Sequence, residues 1–145
     1  MALFNRNKQE LEEALAKLDA AEKRAKALEA DIHIIGQSAA ILTMSPDGLI
    51  DSASARFLDM LGHTHEALVG QHHRVLCEEQ YANSETYRKF WQALVTGQTQ
   101  QGCFPGIDSQ SRVVKLDACY APIKNENGMT QRIIATINNV SVVPG

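Results

Sequence analysis

Cysteine is scarce in this chain of 145 residues, and Cys77, Cys103 and Cys119 are odd in number and far apart. With no C-x-x-C pair they build neither a disulfide framework nor a redox motif, so a reducing compartment with inert thiols is expected. No apolar run approaches the ~20 residues of a membrane span. The start, MALFNRNKQE, lacks the apolar core of a signal peptide. A cytoplasmic location without membrane contact is the expectation. Basic excess is missing too: 14 Lys and Arg stand against 17 Asp and Glu, for a net charge of -3. That balance argues against a nucleic-acid surface and against attraction to anionic lipid. Neither a Ser-His-Asp order nor a nucleophile elbow, Walker loop or dinucleotide fingerprint occurs, so an enzyme is not expected. His63, His65, His72 and His73 follow H-x-H-x6-H-H, which is not a common zinc framework.

Glycine and proline are absent from residues 7–31, which are rich in Ala, Glu, Lys and Leu. Such side chains lose little rotamer freedom in a helix. Leu11, Leu15, Leu18, Ala21, Ala25, Leu28, Ile32 and Ile35 recur every three or four residues, a heptad seam with one slip between Leu18 and Ala21. Glu13–Lys17, Asp19–Lys23 and Glu22–Lys26 are i,i+4 pairs of the favourable sense. The stripe is narrow and buries little alone. It asks for a partner helix, with Leu11, Leu15, Leu18, Ala25, Leu28 and Ile32 as the dimer seam, or else for cover from its own domain. Gly36 is expected to end or bend this helix.

After residue 36 short strands and turns take over. Residues 39–44 (AAILTM) read as a strand, Ser45-Pro-Asp-Gly48 as a tight turn and Leu49–Ser52 as the returning strand. Ser54 caps a short helix with Phe57, Leu58 and Leu61 on its apolar face, and Gly62 stops it. Residues 64–70 form another helical turn, with His63 and His65 exposed around it. Aromatic residues are only 6% of the chain, yet Tyr81, Tyr87, Phe90 and Trp91 fall in one short stretch. Tyr87, Phe90, Trp91 and Leu94 share one face of a helix capped by Asn83 or Ser84. Three strands follow: Gln98–Ile107, interrupted by Pro105-Gly106; Arg112–Ile123, with Val114, Leu116, Ala118 and Tyr120 on one face and Cys119 on the other; and Arg132–Val140, with Ile133, Ala135 and Ile137 inward. Asn125-Glu-Asn-Gly128 is the hairpin turn between the last two. Helices cluster in the middle of an antiparallel sheet, an α+β order.

The ordered pieces PDGLIDSASARFLDMLG, HEALVGQHHRVLC, SETYRKFWQALVTGQ, LDACYAPIKNENG and IIATINNV resemble a PAS domain. The resemblance is to those of bacterial methyl-accepting chemotaxis and energy-taxis receptors. It implies a PAS fold: a five-stranded antiparallel sheet with short helices on one face, preceded by the long helix. The implied division is residues 1–36 for the helix, 37–141 for the sensor domain and 142–145 for a tail. It also implies a homodimer through the leading helix, a signalling domain downstream in a longer receptor, and a small ligand or cofactor held between sheet and helices. Haem b and FAD are the cofactor candidates. His73 matches a histidine that ligates haem iron in some PAS domains, and Trp91 one that lies near the flavin in others. His72, Phe90, Leu58, Leu116 and Ile137 complete the candidate lining. The flavin-type pattern differs here at Ser54, at Cys77-Glu78 and at Phe104–Ser111. Asn139-Val-Ser141 stands where many PAS domains close with Asp-x-Thr. A ligand-free dimerisation module is the rival reading.

Overall fold

A computed structural model describes residues 2–144, and the side chains among them apart from 2–4 and 32–37. The chain divides into two units, one up to Ile35 and one from Gly36 onward.

The first unit lies within α1 (Ala2–Ser38). Of the two outcomes expected at Gly36, an end or a bend, the helix does not end there but continues to Ser38. One glycine costs a helix only about 1 kcal/mol, which its neighbours outweigh here. Leu11, Leu15, Leu18 and Leu28 are 56–61% exposed, and Ala25 is exposed as well. The side chains of Ile32 and Ile35 lie outside the described residues. Of the three expected charge pairs only Asp19–Lys23 closes, at 3.3 Å; Arg6–Glu10 adds one at 3.4 Å. Both are exposed, so their contribution to stability is small. No helix among the described residues is long and apolar enough to cross a membrane.

The second unit is a five-stranded antiparallel sheet in the order β2-β1-β5-β4-β3. Its strands are β1 (Ala40–Met44), β2 (Ile50–Ala53), β3 (Gln100–Ile107), β4 (Val113–Lys124) and β5 (Thr130–Val142). Between β2 and β3 come α2 (Ala55–Leu61), α3 (His65–Leu68), a 3-10 turn (His73–Leu76), α4 (Glu79–Ala82) and α5 (Glu85–Val95). Alternation sets the inner face: Val114, Leu116, Ala118 and Tyr120 of β4 and Ile133, Ala135 and Ile137 of β5 are all buried. They pack with Leu42, Met44, Phe57, Leu61, Leu76, Phe90 and Leu94 in one core.

Three local devices hold this arrangement. Ser54 caps α2 by accepting from Phe57 N at 3.3 Å and also donates to Ala39 O at 2.9 Å, tying the helix to the start of β1. In β5 the register slips so that Asp117 faces Asn139 while Ala118 faces Ile137, leaving Asn138 as an extra residue. This bulge keeps Asn138 and Asn139 out in solvent and turns Val140 back toward the core. Pro105 does not interrupt β3, contrary to expectation; β3 is an edge strand that pairs with β4 alone, where a missing N–H is tolerated.

Gly106 beside it is required for space. A Cβ there would lie 2.9 Å from the Leu76 carbonyl oxygen and 3.1 Å from Leu116 Cδ1. The 3-10 turn therefore rests directly on the backbone of β3. Gly106→Ala should lower the unfolding free energy by about 1–3 kcal/mol, read from urea denaturation. An unchanged midpoint would show that the turn does not rest on β3.

A buried histidine between two tyrosines as the candidate functional site

The site begins with how the chain enters the 3-10 turn. The Ser45–Gly48 turn closes through Gly48 N to Ser45 O at 2.9 Å. His73 N then donates to Gly48 O at 2.8 Å, and Ile50 N to Gln71 O at 2.8 Å, so the turn and the His72-His73 pair are stitched together. Gly48 has φ +85, and a Cβ on it would meet His72 Nε2 at 2.6 Å. The left-handed turn and the seating of His72 therefore both need glycine. His72 caps the 3-10 turn by accepting from Arg74 N at 3.0 Å on Nδ1. This leaves His73 pointing inward, 4% exposed.

Inside, His73 Nδ1 lies 2.9 Å from the Tyr87 hydroxyl of α5, and Nε2 lies 2.9 Å from the Tyr120 hydroxyl of β4. Ser84 caps α5 by accepting from Tyr87 N at 3.1 Å, which fixes where Tyr87 enters the core. One imidazole thus joins the helical layer to the sheet. Burial pushes its pKa down to about 3, and the neighbouring His72 lowers it further, so the ring is neutral. A neutral ring carries one N–H, and hydrogen-bond satisfaction selects which nitrogen holds it. Tyr120 is fully buried, and His73 is its hydrogen-bond partner. Its O–H must donate to Nε2, because a proton on Nε2 would leave the phenol hydrogen unsatisfied at about 1–3 kcal/mol. The ring proton therefore sits on Nδ1 and is donated to Tyr87. Cys77 Sγ packs against the same group, 3.8 Å from His73 Nδ1 and 4.0 Å from the His73 carbonyl oxygen. Burial pushes the Cys77 thiol up to about 12, outweighing the Tyr87 hydroxyl and the Arg74 charge, so this sulfur is a packing group and not a nucleophile. Burial raises both tyrosines as well.

Aromatic rings enclose this centre. His73 meets Trp91 and Tyr120 at 5.5 Å between ring centroids, and Phe90 meets Tyr120 at 4.9 Å, Phe104 at 5.2 Å and Trp91 at 5.7 Å. Most are edge-to-face contacts, the arrangement ring quadrupoles favour. Trp91 is half-buried, with its Nε1 shielded from solvent beside the Tyr87 phenol but outside hydrogen-bond geometry.

The structure thus brings His72, His73, Phe90 and Trp91 into one cluster, and Leu58, Leu116 and Ile137 into the same hydrophobic core. The sequence does not single out Tyr87, Tyr120, Cys77 or Phe104 as site residues. The available signal was Tyr120 on the inward face of β4, since a buried phenol needs a partner. His63 is not on an exposed turn: it is half-buried, its Nε2 has no partner among the described residues, and burial lowers its pKa against the pull of Asp108. Cys103 is exposed and Cys119 partly so, and both are free. No metal-binding cluster of His, Cys, Asp or Glu occurs among the described residues.

Neither cofactor candidate fits these side chains as packed. His73 is in the neutral form that iron ligation requires, but both its nitrogens are engaged. The rings of Phe90, Phe104 and Tyr120 pack against one another, so a flavin ring between them would have to part them.

Comparisons place this geometry among known proteins. A sequence profile described as PAS domain matches residues 38–142. The biofilm dispersion protein BdlA of Pseudomonas aeruginosa is 31% identical over 109 residues, which cover 75% of this chain and 26% of that protein. The chain thus spans about a quarter of the length of this curated relative. Among solved structures, the LOV protein of Rhodobacter sphaeroides is 16% identical, with a TM-score of 0.61 over 69% of this chain and 58% of that one. An RNA-binding Light-Oxygen-Voltage receptor is 17% identical, with a TM-score of 0.66 over 77% and 33% of the two chains. The blue-light photoreceptor Aureochrome1 LOV domain is 18% identical, with a TM-score of 0.61 over 70% and 75%. At these identities the structural likeness is one of fold.

The buried neutral imidazole makes stability depend on pH. An unfolded histidine takes up a proton near pH 6.5, whereas His73 in the fold holds out to about 3. Its stabilising contribution is therefore complete above about pH 6.5 and falls by up to about 1.4 kcal/mol per pH unit as the pH drops toward 3. Urea denaturation across this window should show that slope, and His73→Gln should flatten it. Equal slopes in the two proteins would show that His73 is not held neutral.

Proposed function

Because the chain belongs to the PAS domain family, we propose that it is a sensory module that binds a small ligand or cofactor between α5 and the sheet and passes the change to α1. The observation that carries this reading is His73. It ties Tyr87 on the helical layer to Tyr120 on the sheet, and both bonds lie inside an aromatic enclosure. A molecule offering its own donor or acceptor at His73 changes the relation between helix and sheet. It acts as a signal only if it binds the two arrangements with different affinity.

His73, His72, Trp91 and Phe90 are the inner residues of this proposed pocket, with Leu58, Leu116 and Ile137 behind them. Haem b at His73 and FAD beside Trp91 are the cofactors to test. Each requires the present packing to open, through loss of a tyrosine bond or separation of the rings. The module would serve a cytoplasmic chemotaxis-type receptor, as a homodimer joined through Leu11, Leu15, Leu18, Ala25, Leu28 and Ile32 of α1, with its signalling domain downstream. Exposed leucines along one helix support the dimer, since an apolar seam left in water is unfavourable.

The contacts among Phe90, Phe104 and Tyr120 favour a second reading. The core would be filled by its own side chains, and the module would act in assembly alone, through α1. Absorption spectra and native mass spectrometry of the protein, before and after incubation with haem b or FAD, separate the two. The sensory reading expects a bound small molecule, displaced or weakened at least about tenfold by His73→Ala, the loss of one hydrogen bond in a buried site. A bare chain that takes up neither cofactor and co-purifies with nothing contradicts it and leaves the assembly reading. The latter then requires Leu15→Lys with Leu18→Lys to turn the dimer into monomer by sedimentation.

A further inference from the structure

A second cleft lies outside the aromatic core, with a volume of about 400 Å³. That is within the ~300–1,000 Å³ of ordinary small-molecule sites. The Ser45–Gly48 turn, the 3-10 turn and α5 each supply part of its wall. Four charged side chains line it: Arg74, Arg88, Asp47 and Glu85. Arg88 and Glu85 are joined to each other, with Arg88 Nε 3.0 Å from Glu85 Oε2. Arg74 and Asp47 are not joined to each other, and neither side chain has an ion-pair partner among the described residues. One cation and one anion thus remain in the lining without an ion-pair partner, together with the rings of Trp91 and His72, 5.7 Å apart.

Local bonding fixes where these two side chains leave the backbone. Asp47 sits in the closed Ser45–Gly48 turn, and Arg74 follows the His72 cap, whose ring lies against Gly48. Burial and the Arg74 charge lower the pKa of His72, against a hydrogen bond to the Asp47 backbone, which disfavours a further positive charge there. The charges of the lining cancel, which disfavours a simple anion or a simple cation. A ligand carrying both signs satisfies Arg74 and Asp47 together. Arginine offers a carboxylate a two-pronged donor, aspartate accepts from an ammonium, and the ring wall accepts an apolar side chain.

We propose that this cleft binds a small zwitterion of the α-amino acid class with an apolar side chain, its carboxylate on Arg74 and its ammonium on Asp47. Tyr87 lines the same cleft and holds His73 Nδ1, so occupancy is reported to the buried bridge and through it to β4. The site shares His72, Tyr87 and Trp91 with the wall of the core, but its charged groups, Arg74 and Asp47, lie outside it.

Isothermal titration calorimetry of the whole chain with leucine, valine, methionine and phenylalanine tests this directly. Fluorescence of Trp91, the one tryptophan of the sequence, serves as a second readout. At least one of these amino acids should bind saturably at millimolar concentration or below. Its N-acetyl and its amide derivatives, each lacking one charge, should bind at least about tenfold more weakly, the scale of a lost charged hydrogen bond. Arg74→Gln and Asp47→Asn should each lose a similar factor while keeping the wild-type circular dichroism spectrum and melting temperature. Both positions are exposed, so folding should survive. Absence of saturable heat with all four amino acids overturns the proposal. So does a derivative that binds as tightly as its parent, or an affinity unchanged by either substitution. Tyr87→Phe should retain binding yet lose any ligand-induced change in the near-ultraviolet signal of the core; an undiminished change would remove Tyr87 from the path.

Discussion

One buried imidazole holds two layers of this protein together. His73 comes from a short 3-10 turn, accepts from a phenol of the sheet and donates to a phenol of the principal helix. The constraint is strict because the surroundings are dry. A charged ring would be strongly penalised there, and an unsatisfied hydroxyl would cost more than a well-made hydrogen bond gains. The ring must therefore be neutral, and its proton must lie on Nδ1. Other features serve this placement: Gly48 makes room for His72, Gly106 lets the 3-10 turn rest on β3, and the Ser84 cap sets the entry of Tyr87. The aromatic shell excludes the water that would otherwise compete for these bonds.

Such a bridge is suited to sensing because it is polar, directional and specific at the boundary between lid and sheet. A purely apolar contact tolerates small sliding at little cost. A pair of hydrogen bonds on opposite sides of one flat ring does not, since movement of either tyrosine weakens a bond in a low-dielectric interior. Tyr87, itself buried, is the end of this chain of contacts that reaches the outer cleft, whose wall it helps to form. Tyr120 is the inner end, on a strand that pairs with both β3 and β5. The family likeness explains why helices cover this face of the sheet.

Much of the fold is legible in the sequence because it is local and periodic. The inward residues of β4 and β5, the Ser54 cap and the apolar face of α5 all follow from alternation, capping chemistry and helical spacing. A local rule fails where it meets a tertiary context. Pro105 sits on an edge, Gly36 lies inside a helix long enough to carry it, and His63 is shielded despite following a glycine stop. The site was half visible. His73 and Trp91 emerged from family likeness, and the inward direction of Tyr120 from alternation. The bond joining His73 to Tyr120 spans 47 residues, and no spacing rule reaches that far. The extra residue in β5 was equally hidden, because a bulge is defined by the partner strand.

The most direct test of this account is the protonation state of His73, read by nitrogen-15 NMR of the imidazole side chain in the intact protein. Between about pH 5 and 8, well above the depressed pKa of about 3, Nδ1 should remain protonated and Nε2 unprotonated, with the N–H protected from exchange. A ring that titrates in this range, or that carries its proton on Nε2, would contradict the bridge on which the rest depends.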